Sequence, residues 1–529
     1  MKYIKIIKVS HKFIISLCLI FLISASCVDI MEDINYNQKL ITDKLLEQDA
    51  NEGGFMLPGM QTGIVAVMTN YIYEIQALYF CANYAGYASI QYPETNNVNI
   101  GTYATMFPWV DWVWTDNSSK VLNQWVQIKK KGFDTKYPDL YAMGVIFKVF
   151  AGHRLVDVFG PLPYSLYGTS SDVKFDSEEE AYNLFFTELK SSVDALTKVE
   201  TDNPGADQIR YAKFDKSRYG GNYATWIKVA NTLRLRLAMR ISDVNPDKAK
   251  AEAEAAVNNS YGVLTMNEGS FEMTTGTVNP IKTINEDWQE IRLNAAISCF
   301  LGGYQDPRLP VYGIPSIYNA EIIGMRSGSK QPQGSYIGIS KMNFTDNPYV
   351  RLMDVAESYF LKAEGVLKGW NMGGGTAQEF YEQGIRASFI ENKVAGIEDY
   401  LNNSTDTQKD YVDPVNPENN VPALSIITIK WDESATVEEK LERIITQKWI
   451  AMYPEGYEAW SEFRRTGYPK LWPVAENNSG GVVPEGEFIK RLPYPKVIIN
   501  ASQNAVNEAI NSYLNGNDGI FEPIWWDID

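Results

Sequence analysis

The sequence predicts a mainly α protein: stacked helix pairs, with long aromatic loops between them. Three observations carry that expectation. The stretch Trp226-Ile-Lys-Val-Ala-Asn-Thr-Leu-Arg-Leu-Arg-Leu-Ala-Met-Arg-Ile-Ser242 is apolar nearly all round, the pattern of a helix buried between other elements. Helix-like segments recur in pairs along the chain, and only one short run, Ile426–Ile429, reads as a strand.

In the central stretch, Trp226, Val229, Ala230, Leu233, Leu237 and Ile241 share one helical face. It also carries Arg234, Arg236 and Arg240, the last two on one side. A buried guanidinium is costly unless carboxylates and hydrogen bonds satisfy it. Acidic partners from distant segments are therefore expected, holding helices in register rather than touching a ligand.

The remaining elements follow in chain order. Lys2, Lys5, Lys8 and Lys12 precede an apolar run from Phe13 to Ile23, then Ser24-Ala25-Ser26 and Cys27. This is a secretory leader over residues 1–26, too short to span a membrane, which needs about 20 apolar residues. Residues 28–57 read as a tether with a short helix near Gln38–Gln48. Leu57–Ile90 is helical and rich in tyrosine, and residues 91–116 read as a loop ending in Phe107-Pro-Trp-Val-Asp-Trp-Val-Trp114. Helix pairs are expected around 119–157, 177–258, 348–393 and 437–465. Ser177 and Glu180 have the spacing of a capping box, and Asn347 precedes Pro348 as a cap for a helix Pro348–Lys368. Residues 260–346 are mixed, with one helix from Trp288 to Cys299. Residues 400–434 are a polar insertion around the Ile426–Ile429 strand, and 466–529 is a tail rich in Pro and Gly. No fixed period marks a regular solenoid; length alone would suggest roughly two to four domains, but single folds of this size exist, and residues 27–529 are read as one.

Composition excludes several classes. The net charge of −17 argues against binding a nucleic-acid backbone or an anionic membrane surface. It suits a neutral ligand or a cation. Two histidines, His11 and His153, leave no basis for a histidine metal site or a His-based hydrolase triad. Cys81 and Cys299 form no disulfide framework and are expected as buried free thiols. Gly373-Gly-Gly375 lacks the Lys-Ser/Thr of a phosphate loop, and the run Asn515-Gly-Asn-Asp-Gly519 has the wrong acidic spacing for calcium. No cofactor and no metal is expected.

Several stretches resemble one family. They are the central helix 226–242, Phe159-Gly-Pro-Leu-Pro-Tyr164, Asp306-Pro-Arg-Leu-Pro310, Ala356-Glu-Ser-Tyr-Phe-Leu-Lys-Ala-Glu364, Gln447-Lys-Trp-Ile-Ala-Met-Tyr-Pro-Glu-Gly-Tyr-Glu-Ala-Trp-Ser-Glu-Phe-Arg-Arg-Thr-Gly-Tyr-Pro469, Arg491-Leu-Pro-Tyr-Pro495 and Trp525-Trp526-Asp527. In this order they resemble the SusD/RagB-like nutrient-binding outer-membrane lipoproteins of Bacteroidetes. Cys27 after small residues resembles a lipobox, with Leu22 farther out than usual, and Asp29, Glu32 and Asp33 look like the surface-export signal of such lipoproteins. The resemblance implies four tetratricopeptide-like helix pairs against an irregular, loop-rich ligand face. It also implies an outer-membrane protein anchored by lipid at Cys27, with no other membrane contact. Its implied role is to capture an oligosaccharide or peptide and pass it to a TonB-dependent, SusC-like transporter, without catalysis.

Sugar capture calls for flat aromatic rings against pyranose C–H faces, with polar side chains fixing the hydroxyls. Tyr92, Trp109, Trp112 and Trp114, with Asp111 and Asn96 nearby, form the candidate ligand cluster; Tyr84, Trp288 and Arg292 stand behind them. The competing readings are a glycan-degrading surface hydrolase, for which no acid pair stands out by spacing, and a structural lipoprotein with no small ligand.

Overall fold

A computed structural model describes residues 51–65, 70–91, 98–105, 107–170, 172–205, 210–274, 279–329, 335–344 and 349–528. The leader, Cys27 and the expected helix near Gln38–Gln48 lie outside them. From Gly53 onward the chain forms one unit. Its helices are α1 (Leu57–Val65), α2 (Phe107–Asn117), α3 (Asn123–Lys130), α4 (Pro138–Phe159), α5 (Glu178–Asp202), α6 (Tyr223–Arg240), α7 (Pro246–Val257), α8 (Ala295–Gly303), α9 (Val355–Leu367), α10 (Ala377–Glu391), α11 (Val437–Ala451), α12 (Gly456–Thr466) and α13 (Gln503–Tyr513). A wide π-type segment, Glu74–Ala82, precedes α2. Three short antiparallel ribbons complete the unit: β1 (Ala88–Ile90) with β3 (Ile291–Leu293), β2 (Phe271–Thr274) with β6 (Tyr349–Met353), and β4 (Gly313–Ile314) with β5 (Lys341–Met342).

α4 lies on α5, α5 on α6, and α6 on α7; α9 packs on α10, and both touch α11. Local chemistry fixes the starts. Ser177 Oγ accepts from Glu180 N at 3.1 Å while Ser177 N donates to the Glu180 carboxylate at 2.8 Å, the reciprocal box expected. Asn222 caps α6, and Asn245 with Pro246 at the first turn starts α7.

α6 is the buried helix that the sequence predicts, and its arginines meet carboxylates from four other helices. Arg236 makes a two-pronged pair with Glu357 of α9, both contacts at 2.6 Å. Arg240 reaches Asp157 of α4 at 2.6 Å and Glu458 of α12 at 2.8 Å. Arg234 pairs with Glu252 on α7 at 2.5 Å. Lys448 adds Glu462 at 2.9 Å, and Arg465 adds Glu364 at 2.7 Å and Glu462 at 2.8 Å. Excepting Arg234 and Glu252, these side chains are almost wholly out of water. Bidentate pairing satisfies several donors at once, which is how charge survives burial.

The glycine of the 447–469 stretch has a steric reason. A Cβ on Gly456 would stand 2.3 Å from Ala82 N and 2.6 Å from Ala82 Cα, both backbone atoms of the π-type segment. α12 therefore lies against that segment at glycine distance. Gly456→Ala is expected to cost about 1–3 kcal/mol, typical of overpacking, read as a lowered midpoint in thermal or urea denaturation.

Several sequence expectations are corrected. The 107–114 stretch is not a loop end but helix α2. Trp288–Cys299 is not one helix: Ile291–Leu293 pairs with Ala88–Ile90, and Asn294 then caps α8. The expected helix Pro348–Lys368 is likewise split. Tyr349–Met353 is strand β6, whose partner β2 takes up its backbone groups, and Asp354 caps α9; Asn347 and Pro348 lie outside the described residues. The Ile426–Ile429 run forms no strand. Its buried carbonyls are taken by side chains instead: Tyr304 Oη donates to Ile427 O at 2.9 Å and Tyr381 Oη to Ile429 O at 2.6 Å. The tail contains Lys496–Ala501 and α13. Cys81 and Cys299 are free and buried.

Candidate ligand site

The aromatic cluster sits on α2 and the helical segment before it. Trp109 and Trp114 face inward, 8 % and 5 % exposed. The Trp109 ring meets Tyr79 at 5.4 Å, and Trp114 meets Phe159 edge-on at 5.9 Å. Trp112 is only partly buried and meets the exposed Tyr71 ring edge-on at 4.8 Å. Gln76 Nε2 donates to Trp112 O at 2.7 Å, fixing α2 to the π-type segment. Asp111 is partly exposed and accepts from Val497 N at 3.2 Å. Tyr92 and Asn96 lie outside the described residues.

The structure thus leaves Trp112 and Asp111 accessible on α2, with Tyr71 of the separate segment Asn70–Tyr73 beside Trp112, while Trp109 and Trp114 fasten α2 down. Of the other candidates, Tyr84 is buried among Phe80, Tyr103 and Trp460. Arg292 is fully buried and spends its guanidinium on backbone carbonyls of Gln289, Ile291, Tyr336 and Ile337. Burial holds its pKa down at about 10. Trp288 keeps 38 % of its surface exposed.

Behind Trp109, Tyr79 Oη donates to Glu290 at 2.8 Å, and Glu290 neighbours the buried Glu74. Burial first, then the Glu290 carboxylate, pushes Glu74 up to about 9. It is therefore a neutral acid at pH 7. A carboxyl whose folded value lies above the ordinary 4.5 contributes stability fully below that value and loses it as pH rises towards about 9. Glu74→Gln is expected to remove this slope. The variant should gain in melting temperature relative to the parent as pH is raised from 5 to 9, measured by scanning calorimetry.

Sequence reasoning passed over a cavity of about 260 Å³ between the π-type segment, β6 and the turn before α12. Arg154 and Glu455 line it, paired at 2.6 Å. The Tyr453-Pro-Glu-Gly456 run inside the family-like stretch was its one sequence signal.

A family described as SusD-like, "Susd and RagB outer membrane lipoprotein", matches residues 33–527. The chain belongs to the SusD/RagB family. Solved SusD structures agree across nearly their whole length. A chitin-binding SusD homolog from Flavobacterium johnsoniae is 38% identical, with 90% of this chain and 99% of that one covered and a TM-score of 0.87. A SusD homolog from Bacteroides vulgatus is 31% identical, covering 91% and 99%, TM-score 0.85. A SusD-like protein from Bacteroides thetaiotaomicron is 31% identical, covering 90% and 99%, TM-score 0.84. Against curated proteins the chain finds no match. SusD-like proteins are outer-membrane lipoproteins that bind ligands and are not enzymes. The SusD-like body is mainly helical, as the sequence predicts.

Proposed function

We propose that this SusD-like protein is anchored by lipid on Cys27 at the outer face of the outer membrane. There it captures an oligosaccharide of the chitin class and passes it uncut to a SusC-like TonB-dependent transporter. The observation that carries the reading is the 38% identity, over 99% of its length, to a chitin-binding SusD homolog. The acidic chain, at −17, suits a neutral polymer, since no basic patch is required to hold it.

Among the expected ligand residues, Trp112 offers its ring to a pyranose face. Tyr71 extends the aromatic surface beside it, and Asp111 accepts from sugar hydroxyls. Indole supplies area with few rotatable bonds, so little entropy is lost on binding. Trp109 and Trp114 act one layer below, setting the angle of α2.

Titration of the mature protein with chitohexaose in a calorimeter tests the reading, followed by chromatography of the recovered sugar. Saturable binding with the hexamer intact is expected. No heat of binding, or shortened products, would overturn it. The hand-over is tested separately by pull-down from outer membranes, where a barrel of transporter size should accompany the protein.

A further inference from the structure

The cavity beside α12 contains none of the aromatic-cluster candidates, and its chemistry is of a different kind. Its charges are already balanced. Arg154 Nη2 is held by Glu455, and Nη1 donates to Ile64 O at 3.1 Å. Arg351 is held by Asp354, by Glu272 at 3.1 Å and by Glu391 at 3.4 Å. An incoming charge would find its counter-ion already engaged, at a cost in desolvation. A neutral ligand meets no such penalty.

Hydrogen-bonding capacity is nevertheless left over. Arg154 is 5 % exposed, and its Nε has no hydrogen-bond partner among the described residues. That nitrogen has almost no surface open to the cavity, so the capacity within a ligand's reach is that of the side-chain amides. Asn343 spends its Nδ2 on Pro310 O at 3.2 Å, and Asn392 spends its own on Ser388 O at 2.8 Å. These bonds fix both amides and leave their oxygens as acceptors. Rings supply the apolar wall: Tyr312 and Tyr453 stack at 4.4 Å, and Phe344 stands 6.1 Å from Tyr453. The volume, about 260 Å³, lies just under the roughly 300 Å³ at which pockets begin to hold drug-sized ligands. That leaves room for one or two small rings.

We infer that this cavity is a second carbohydrate site, which takes a single neutral pyranose unit, free or at the end of a chain. Acceptors from Asn343 and Asn392 and the aromatic walls match a ring that carries hydroxyls on its edge and C–H bonds on its faces. The inference rests on the carbohydrate reading above but uses different residues, so the two can fail separately.

Calorimetry with N-acetylglucosamine and with chitohexaose, on the parent and on Ala77→Phe and Trp112→Ala, tests it. Ala77 lines the cavity, and a phenyl group there would occupy the space without removing any polar partner. The parent is expected to bind the monosaccharide. Ala77→Phe should weaken that binding at least 10-fold, whereas Trp112→Ala should leave it within about 2-fold. Hexamer binding unaffected by Ala77→Phe, with no monosaccharide binding by the parent, overturns the cavity site and leaves the surface reading standing. Monosaccharide binding lost in Ala77→Phe, with no hexamer binding by the parent, does the reverse. Equal loss of monosaccharide binding in both variants overturns the separate site. Should Ala77→Phe not fold, Asn343→Ala replaces it, with at least a 3-fold loss expected for the monosaccharide and no change overturning the inference.

Discussion

Arg240→Met is expected to destabilise this protein more than any surface change, by about 3–5 kcal/mol. The variant keeps the volume of the side chain but leaves Asp157 and Glu458, 3 % and 2 % exposed, without their shared cation. Asp157 retains neutral donors from Tyr182 at 2.6 Å and Trp526 at 3.1 Å; Glu458 retains Arg236 at 3.5 Å and Lys448 at 3.5 Å. The loss is therefore that of an uncompensated charge rather than of every bond at the site. Lys190→Ala provides the contrast. Its partner Asp194 is 2.7 Å away, but both side chains are more than 60% exposed, and such pairs contribute only about 0–1 kcal/mol. Calorimetric melting of both variants checks the ranking.

The same network sets the acid limit. Burial by itself would raise the Asp157 carboxyl, but Arg240 first, and then His153 and Tyr182, bring it down to about 2 from the ordinary 3.8. A depressed carboxylate stabilises above its unfolded value, and that contribution is lost as pH falls through the folded one. The parent should lose stability between about pH 4 and pH 2, and Arg240→Met should lose less over that interval.

The second large effect separates the three tryptophans of α2. Trp112→Ala is expected to weaken chitohexaose binding at least 10-fold, about 1.4 kcal/mol, with little change in melting temperature. Trp109→Ala and Trp114→Ala should each cost about 3–5 kcal/mol of stability, because their rings fill space against Tyr79 and Phe159. Calorimetry and melting curves on the same samples distinguish the classes. Equal loss of stability in all three variants would make Trp112 a packing residue as well.

Much of this could be read from residue order. The apolar girth and the arginines of α6 pointed to a buried helix with remote acids, and Asp157, Glu357 and Glu458 are those acids. The capping box at Ser177 was visible because it is purely local. The errors arose where long-range pairing outweighed local pattern. Tyr349–Met353 has a helical stripe leading into α9, yet its backbone is taken by a strand 79 residues earlier at Glu272–Arg351. Ile426–Ile429 is β-branched throughout, like a strand, but Tyr304 and Tyr381 hydroxyls occupy the carbonyls that a neighbouring strand would need. The tryptophans of α2 were visible as a cluster, but which ring faces inward depends on where Tyr79 and Phe159 arrive. The cavity was hidden for a similar reason: Arg154, Asn343, Asn392 and Tyr453 lie far apart in the chain.

The junction of Asp157 with Trp526 bears on how the protein is made. The Trp526 ring lies 4.9 Å from the Arg240 guanidinium, and its Nε1 donates to Asp157, 369 residues away along the chain, so the innermost polar contacts are completed by a distant segment. Contacts that must await distant sequence slow folding. Until the Trp526 segment docks, Asp157 and Arg240 stay open to water, so this joint closes late in folding.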